Sequence, residues 1–228
     1  GLLVLTIIRP AKQNRCLVDI VLGMTTSLII VDNFLEDPHG FRKAALNLDY
    51  PELNTKKGYP GRNSSQCIQI PGLEQEISRL VGENLKAKTD AGHGRARITL
   101  RGDEGAANVH IDPGYWSGIL YLSLPEHCRG GTDFFRHKAT QTERALLEPE
   151  DLAALGVTTV EAANEKFNAI LTSDTHKMNE WELIMRVPMR FNRLLLLRPW
   201  LWHTASPGFG DRLENGRLIY LLFFDASK

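Results

Sequence analysis

NVHIDPGYWSGILYLSL, residues 108–124, sets a histidine and an aspartate two positions apart, His110 and Asp112, ahead of a Pro-Gly turn and an alternating apolar run. The run reads as a strand, and the turn as its start. The pair before it is either a metal site at the mouth of a β-barrel or one more His and Asp at a strand end. With seven histidines in the chain, an H-x-D match arises readily by chance. The remainder of the sequence decides between the two.

The chain has 228 residues, 43% of them hydrophobic and 24% charged, with a formal net charge of zero. This composition belongs to a globular protein large enough to bury a core. A nucleic-acid binder shows a basic excess or stripe, and none is visible, so no nucleic-acid partner is expected. Three widely spaced cysteines, Cys16, Cys67 and Cys128, form no C-x-x-C pair. Their odd count suits free thiols in a reducing compartment, and the protein is read as cytoplasmic. The opening GLLVLTIIRP is apolar but short and lacks a basic start, so neither a signal peptide nor a membrane association is expected.

Working outward, LLVLTII, CLVDIVLG and SLIIVDNFL in the first 35 residues read as strands. Asp37-Pro38 has the residues of a helix start, cap and first position, leading into HGFRKAALNL. Residues 50–65 read as a polar loop beside the site. A second helix is expected over 73–88, with Leu73, Ile77, Leu80, Val81 and Leu85 on one face. From Arg95 the texture turns to strands: RARITLRG, ANVHID, SGILYLSL, a turn at Gly130-Gly131, and TDFFRHK. A helical insertion occupies 139–181, with Thr159 capping its second helix. WELIMRVPMRF, RLLLLRP and RLIYLLFF then resume the strands. Helices in the first third and one insertion, with strands elsewhere, indicate an α+β protein with a sandwich or barrel core. His93, His127, His137 and His176 fall in polar stretches and read as solvated. His137 is a weak substrate-side candidate; Trp116, Trp200 and Trp202 read as core, with Trp116, beside the Pro-Gly turn, a secondary candidate for the rim of the site.

His203 comes after the apolar run RLLLLRP, and Arg217 opens the run RLIYLLFF. Two imidazoles and one carboxylate from separate strands make a facial triad, a donor set suited to Fe(II) that leaves three coordination positions open. A 2-oxo diacid filling two of them also requires a cation at its far carboxylate, which the planar arginine fork serves well. Arg217 adjoins an apolar strand and is preferred over Arg212, five residues earlier in a polar loop.

The ordered set His110-x-Asp112, Tyr121, Gly130-Gly131, His203 and Arg217 resembles the iron(II)/2-oxoglutarate-dependent dioxygenases of the prolyl-hydroxylase-like branch. The resemblance covers about residues 95–226, and LIIVDNFLEDPHGFRKAAL resembles that family's lead-in strand and helix. It implies a double-stranded β-helix (jelly-roll) core. It also implies Fe(II) on His110, Asp112 and His203, and 2-oxoglutarate held by Arg217 and Tyr121, with O2 as oxidant. The reaction implied is hydroxylation of an unactivated C–H in an amino acid, small natural product or peptide. The chain departs from the pattern in its long spacing between His110 and His203, and in lacking a tyrosine on the strand before H-x-D. The expected organisation is one oxygenase domain over 1–228. Supporting strands and helices occupy 1–94, and the core occupies 95–228. Residues 50–65, 113–116 and the insertion are expected on the substrate side. The alternatives are a jelly-roll binding module without catalysis and a cupin-like metalloenzyme that does not use 2-oxoglutarate.

Overall fold

The computed structural model of the chain describes residues 3–4, 26–52, 58–145, 152–153 and 155–227. The expected strand CLVDIVLG lies outside the described residues. In chain order the elements are β1 (Leu3–Val4), β2 (Leu28–Asp32), α1 (Pro38–Leu46), β3 (Arg62–Gln69), α2 (Leu73–Val81), β4 (Leu85–Ala87) and β5 (Arg95–Thr99). Next come β6 (Trp116–Tyr121), β7 (Gly131–His137), α3 (Val160–Ser173), β8 (Trp181–Pro188), β9 (Arg193–Leu197), β10 (His203–Ala205) and β11 (Arg217–Ala226). The larger sheet runs β1-β3-β5-β11-β6-β9-β2, with β4 also pairing with β11. The smaller runs β10-β7-β8. Apart from β1 with β3, the pairings are antiparallel. The architecture is α+β.

Strand β11 is buried along nearly its whole length because both its faces are covered. Leu218, Tyr220, Leu222 and Phe224 point to a core shared with Phe41 of α1 and Ile77 of α2. Ile219, Leu221 and Phe223 point the other way, to a second core shared with Phe134 and Val187 of the smaller sheet. The same alternation divides RLLLL in β9: Leu194 and Leu196 face the helices, Leu195 and Leu197 the smaller sheet. Such a strand reads as a continuous apolar run because neither face meets water. Truncating one of these leucines to alanine costs about 2–5 kcal/mol.

Helix α1 begins as its residues dictate: the Asp37 carboxylate accepts a hydrogen bond from Gly40 N at 2.8 Å, and Pro38 takes the first position. Helix α2 is shorter than its periodicity implies. Gly82, at φ 74°, closes it after Val81, and Leu85 reaches the same core from β4 instead. Two other expectations are corrected. Arg62–Ser65, read as loop, belongs to β3, where Arg62 and Asn63 pair with Ile98 and Arg97. ANVHID forms no strand; its one ladder contact is a bridge from His110 to His203. Gly131 is required where the turn enters β7, since a Cβ there would strike the Val187 carbonyl. Helix α3 packs Ala163, Phe167 and Ile170 on Phe135, Trp181 and Trp202 in a third core. No helix among the described residues is long and apolar enough to cross a membrane.

Candidate metal centre and cavity

His110 and His203, 93 positions apart, meet through a reciprocal backbone bridge: His110 N donates to His203 O at 2.9 Å, and His203 N to His110 O at 3.1 Å. Asp112 N donates to Pro199 O at 2.9 Å, which places its side chain beside both rings. The donor atoms of the three side chains lie within 4.8 Å of one another. Each imidazole turns its Nδ1 to a carbonyl two residues earlier, His110 to Asn108 O and His203 to Leu201 O, both at 2.7 Å. A carbonyl only accepts, so each Nδ1 carries the proton and each Nε2 of a neutral ring presents a lone pair. Those Nε2 atoms stand 3.5 and 3.3 Å from the two oxygens of Asp112. Burial, reinforced by His203, holds His110 well below the usual histidine range against the opposing pull of Asp112. Burial also pushes the Asp112 carboxyl up, but positive charge on its neighbours, His203 first and then His110, outweighs it and draws the carboxyl lower. Lone pairs facing a carboxylate repel unless a cation lies between them. The donor set therefore fits a divalent metal ion, which His110, Asp112 and His203 would hold.

That cavity, about 760 Å³, lies between the two sheets and is lined by His110, Asp112, His203 and Arg217 together. Arg217 is 1% exposed. Among the described residues its Nε is buried without a hydrogen-bond partner, and its one hydrogen bond, Nη2 to Gly131 O, is long at 3.5 Å. Burial lowers its pKa, with Tyr121 and Asp133 opposing. A sealed guanidinium so weakly satisfied is complementary to a carboxylate brought into the cavity. The Tyr121 hydroxyl is bonded to Thr132 Oγ1 at 2.7 Å, and the Arg217 guanidinium lies 6.0 Å from the Tyr121 ring centroid. Arg212 is exposed beside Glu214, 3.8 Å away, and takes no part in the cavity lining.

Other expected positions divide. Pro113 lines the cavity, whereas Trp116 is buried under the helices on the opposite face of its strand, below the guanidinium of Arg198. His137 is not solvated: it is 2% exposed, between Thr140 Oγ1 and Asp174. From 50–65, Tyr59, Pro60 and Asn63 reach the cavity, and from the insertion's end His176 and Met178 do. Thr175 ties that end to the segment carrying His110. Its Oγ1 accepts from Asn108 N and donates to Val109 O, both at 2.9 Å, and its carbonyl accepts from Val109 N at 3.1 Å. The sequence reading missed Arg97, a second cavity arginine on β5. Its signal was present in RARITLRG, where the arginines alternate with the buried Ala96 and Ile98. The face of β5 opposite the helices looks into the cavity.

Fold and site together define an α+β protein with a metal-ligating type of cluster, two histidines and an aspartate, in a cavity between two antiparallel sheets. The chain belongs to the family of unknown function DUF6445, which matches residues 107–224, the segment bearing His110, Asp112, Tyr121, His203 and Arg217. No curated protein matches it in sequence. Among solved structures it is similar to the non-heme alpha ketoglutarate dependent carbocyclase SnoK from nogalamycin biosynthesis. That likeness has 10% identity and a TM-score of 0.48, over 87% of this chain and 79% of the other. It is also similar to HygX from Streptomyces hygroscopicus, solved with nickel, 2-oxoglutarate and hygromycin B, at 14% identity and a TM-score of 0.47, over 89% and 84% of the two chains.

Proposed function

We propose that this protein is an Fe(II)- and 2-oxoglutarate-dependent dioxygenase with a double-stranded β-helix core, hydroxylating an unactivated C–H of a small molecule or peptide. The observation that carries this reading is one cavity holding both His110, Asp112 and His203 and the buried, weakly satisfied Arg217. The cluster supports a metal enzyme over a metal-free binding module. The arginine supports a diacid co-substrate over a cupin-like site that uses none. The motif order around Tyr121 and Gly130-Gly131 supports the prolyl-hydroxylase-like branch. We read 1–228 as a single domain with its core over 95–228.

Fe(II), 2-oxoglutarate and O2 together supply oxidative decarboxylation to succinate and CO2, coupled to oxygen insertion into a C–H bond. His110 and His203 would offer Nε2, with the proton held on Nδ1 by the backbone carbonyls. Asp112 would supply the one anionic ligand. Arg217 would take the distal carboxylate of 2-oxoglutarate, with the Tyr121 hydroxyl beside it held in place by Thr132. Ile219, Leu221 and Phe223 line the same cavity and would limit the water around a bound co-substrate.

The test is calorimetric titration with Ni(II) or Mn(II), paired with succinate release from 2-oxoglutarate by the iron-loaded protein. One equivalent of metal is expected to bind, with loss of most affinity in Asp112→Ala and His203→Ala. Undiminished metal affinity in both variants, or no succinate from the iron-loaded parent, refutes the proposal.

A further inference from the structure

Arg97 is a cation that the proposed chemistry does not use. It sits on β5 opposite Ile219 of β11 and opposite Asn63 of β3. Its Nε donates to Asn63 Oδ1 at 2.6 Å, and no ion pair holds it among the described residues. Its guanidinium lies 5.5 Å from the centroid of the Tyr59 ring, and that ring packs edge-on against His110 at 3.8 Å. The Tyr59 hydroxyl is buried without a hydrogen-bond partner. Burial pushes the Arg97 guanidinium down to about 10; the charge of Asp112 opposes this, and the charge of Arg217 adds to it. A guanidinium without an ion pair and a hydroxyl without a hydrogen-bond partner among the described residues thus stand together beside the metal-ligating cluster.

The charge of Asp112 faces Arg97 across the same cavity, while Asp133 is held in a bidentate contact with Arg186, at 2.5 and 2.8 Å. Asp103, whose carboxylate accepts from Leu100 N at 2.8 Å, and the exposed Glu104 also line the cavity. A buried guanidinium with no ion pair among the described residues favours an anion brought into the cavity beside it.

We propose that Arg97 and the Tyr59 hydroxyl form a carboxylate-binding subsite for the primary substrate, separate from the place of 2-oxoglutarate at Arg217. The substrate class is then a small carboxylic acid, an amino acid included, whose acid group docks beside His110. This identification of the substrate rests on the dioxygenase reading above; the subsite itself rests on Arg97, Tyr59 and Asn63. A carboxylate there would accept from the guanidinium and from the Tyr59 hydroxyl, while Asn63 fixes the fork's orientation.

The experiment is nitrogen-15 NMR of the arginine Nε signals in the Zn(II)-loaded full chain, with Arg97→Gln and Arg217→Gln assigning the two cavity signals. 2-Oxoglutarate is expected to shift the Arg217 signal and leave Arg97 in place. Acetate added to that complex is expected to shift Arg97 saturably, where acetamide does not and surface arginines such as Arg212 do not respond. Tyr59→Phe should weaken acetate binding about tenfold, the loss of one hydrogen bond to a charged group. The proposal is overturned if 2-oxoglutarate itself saturates the Arg97 signal, or if acetate moves Arg97 no more than the surface arginines. If 2-oxoglutarate shifts neither cavity arginine, the dioxygenase reading fails, while a saturable acetate shift at Arg97 still supports the anion subsite.

Discussion

Replacing Arg217 with methionine should act in opposite directions on stability and on binding. The side chain is 1% exposed; among the described residues its Nε has no partner and its one hydrogen bond is 3.5 Å long. An unsatisfied buried donor costs about 1–3 kcal/mol. The guanidinium recovers part of this by lying over Tyr121, a contact worth about 0.5–2 kcal/mol. Methionine fills similar space without a charge, so Arg217→Met should gain on the order of 1 kcal/mol, or roughly 2–4 °C in Tm for a chain of this size. The same change strands one carboxylate of a bound 2-oxo diacid, at a cost of about 2–5 kcal/mol. That corresponds to roughly 30- to several-thousand-fold in affinity. Arg217→Lys should restore only part of it, because a point charge does not reproduce the fork. Urea unfolding of the metal-free protein reads the first effect, and calorimetric titration of 2-oxoglutarate into the Ni(II)-loaded protein reads the second. A variant that is less stable than the parent and binds 2-oxoglutarate as well would show that Arg217 is a structural cation, and the argument would fail.

Thr175→Val keeps the side chain's shape but leaves Asn108 N and Val109 O without their partner. Metal affinity should fall about 10- to 100-fold, as for other groups that orient ligands, with the circular dichroism spectrum unchanged. An unaltered affinity would mean that the insertion does not steady His110. Deleting 145–171 should give an insoluble or unfolded product, because it uncovers Phe135, Trp181 and Trp202. A soluble, cooperatively unfolding deletion would contradict that packing. Burial lowers His93 below its ordinary value of 6.5, a shift partly offset by its contact with the Phe223 backbone. The unfolded chain therefore binds this proton first, and stability is lost as pH falls from about 6.5 through the depressed folded value, then levels off. Urea midpoints from about pH 8 to about pH 5 should show a smaller drop in His93→Gln than in the parent, and identical profiles would exclude His93 as the source.

The chain's local chemistry was legible wherever one residue's short-range preference settles its conformation. Asp37-Pro38 starts α1, Thr159 caps α3 by accepting from Ala162 N, and Gly130-Gly131 turns into β7. The apolar runs of β6, β9 and β11 were equally clear, because strands covered on both faces carry little else. His110, Asp112, His203 and Arg217 could be singled out by their order along those strands, and the structure brings all four to one cavity. Other features depend on the residues that lie across from a position, which no local window contains. Arg97 and Tyr59 are ordinary alternation and loop residues until β3, β5 and β11 align and turn them inward. Trp116 lies in the core, as its size suggests, but which face of its strand meets the helices is not given by alternation, which only divides residues between two faces. Arg62–Ser65 is polar and becomes a strand only because β5 supplies its hydrogen-bond partners. Leu85 shows the helical spacing of α2 yet reaches the core from β4, since Gly82 ends the helix and β11 pairs with Leu85–Ala87. In sequence the insertion reads only as two helices set between strands. Only the packing of Phe167 against Trp202, and the hold of Thr175 on Val109, join it to the segment that carries the metal-ligating histidine.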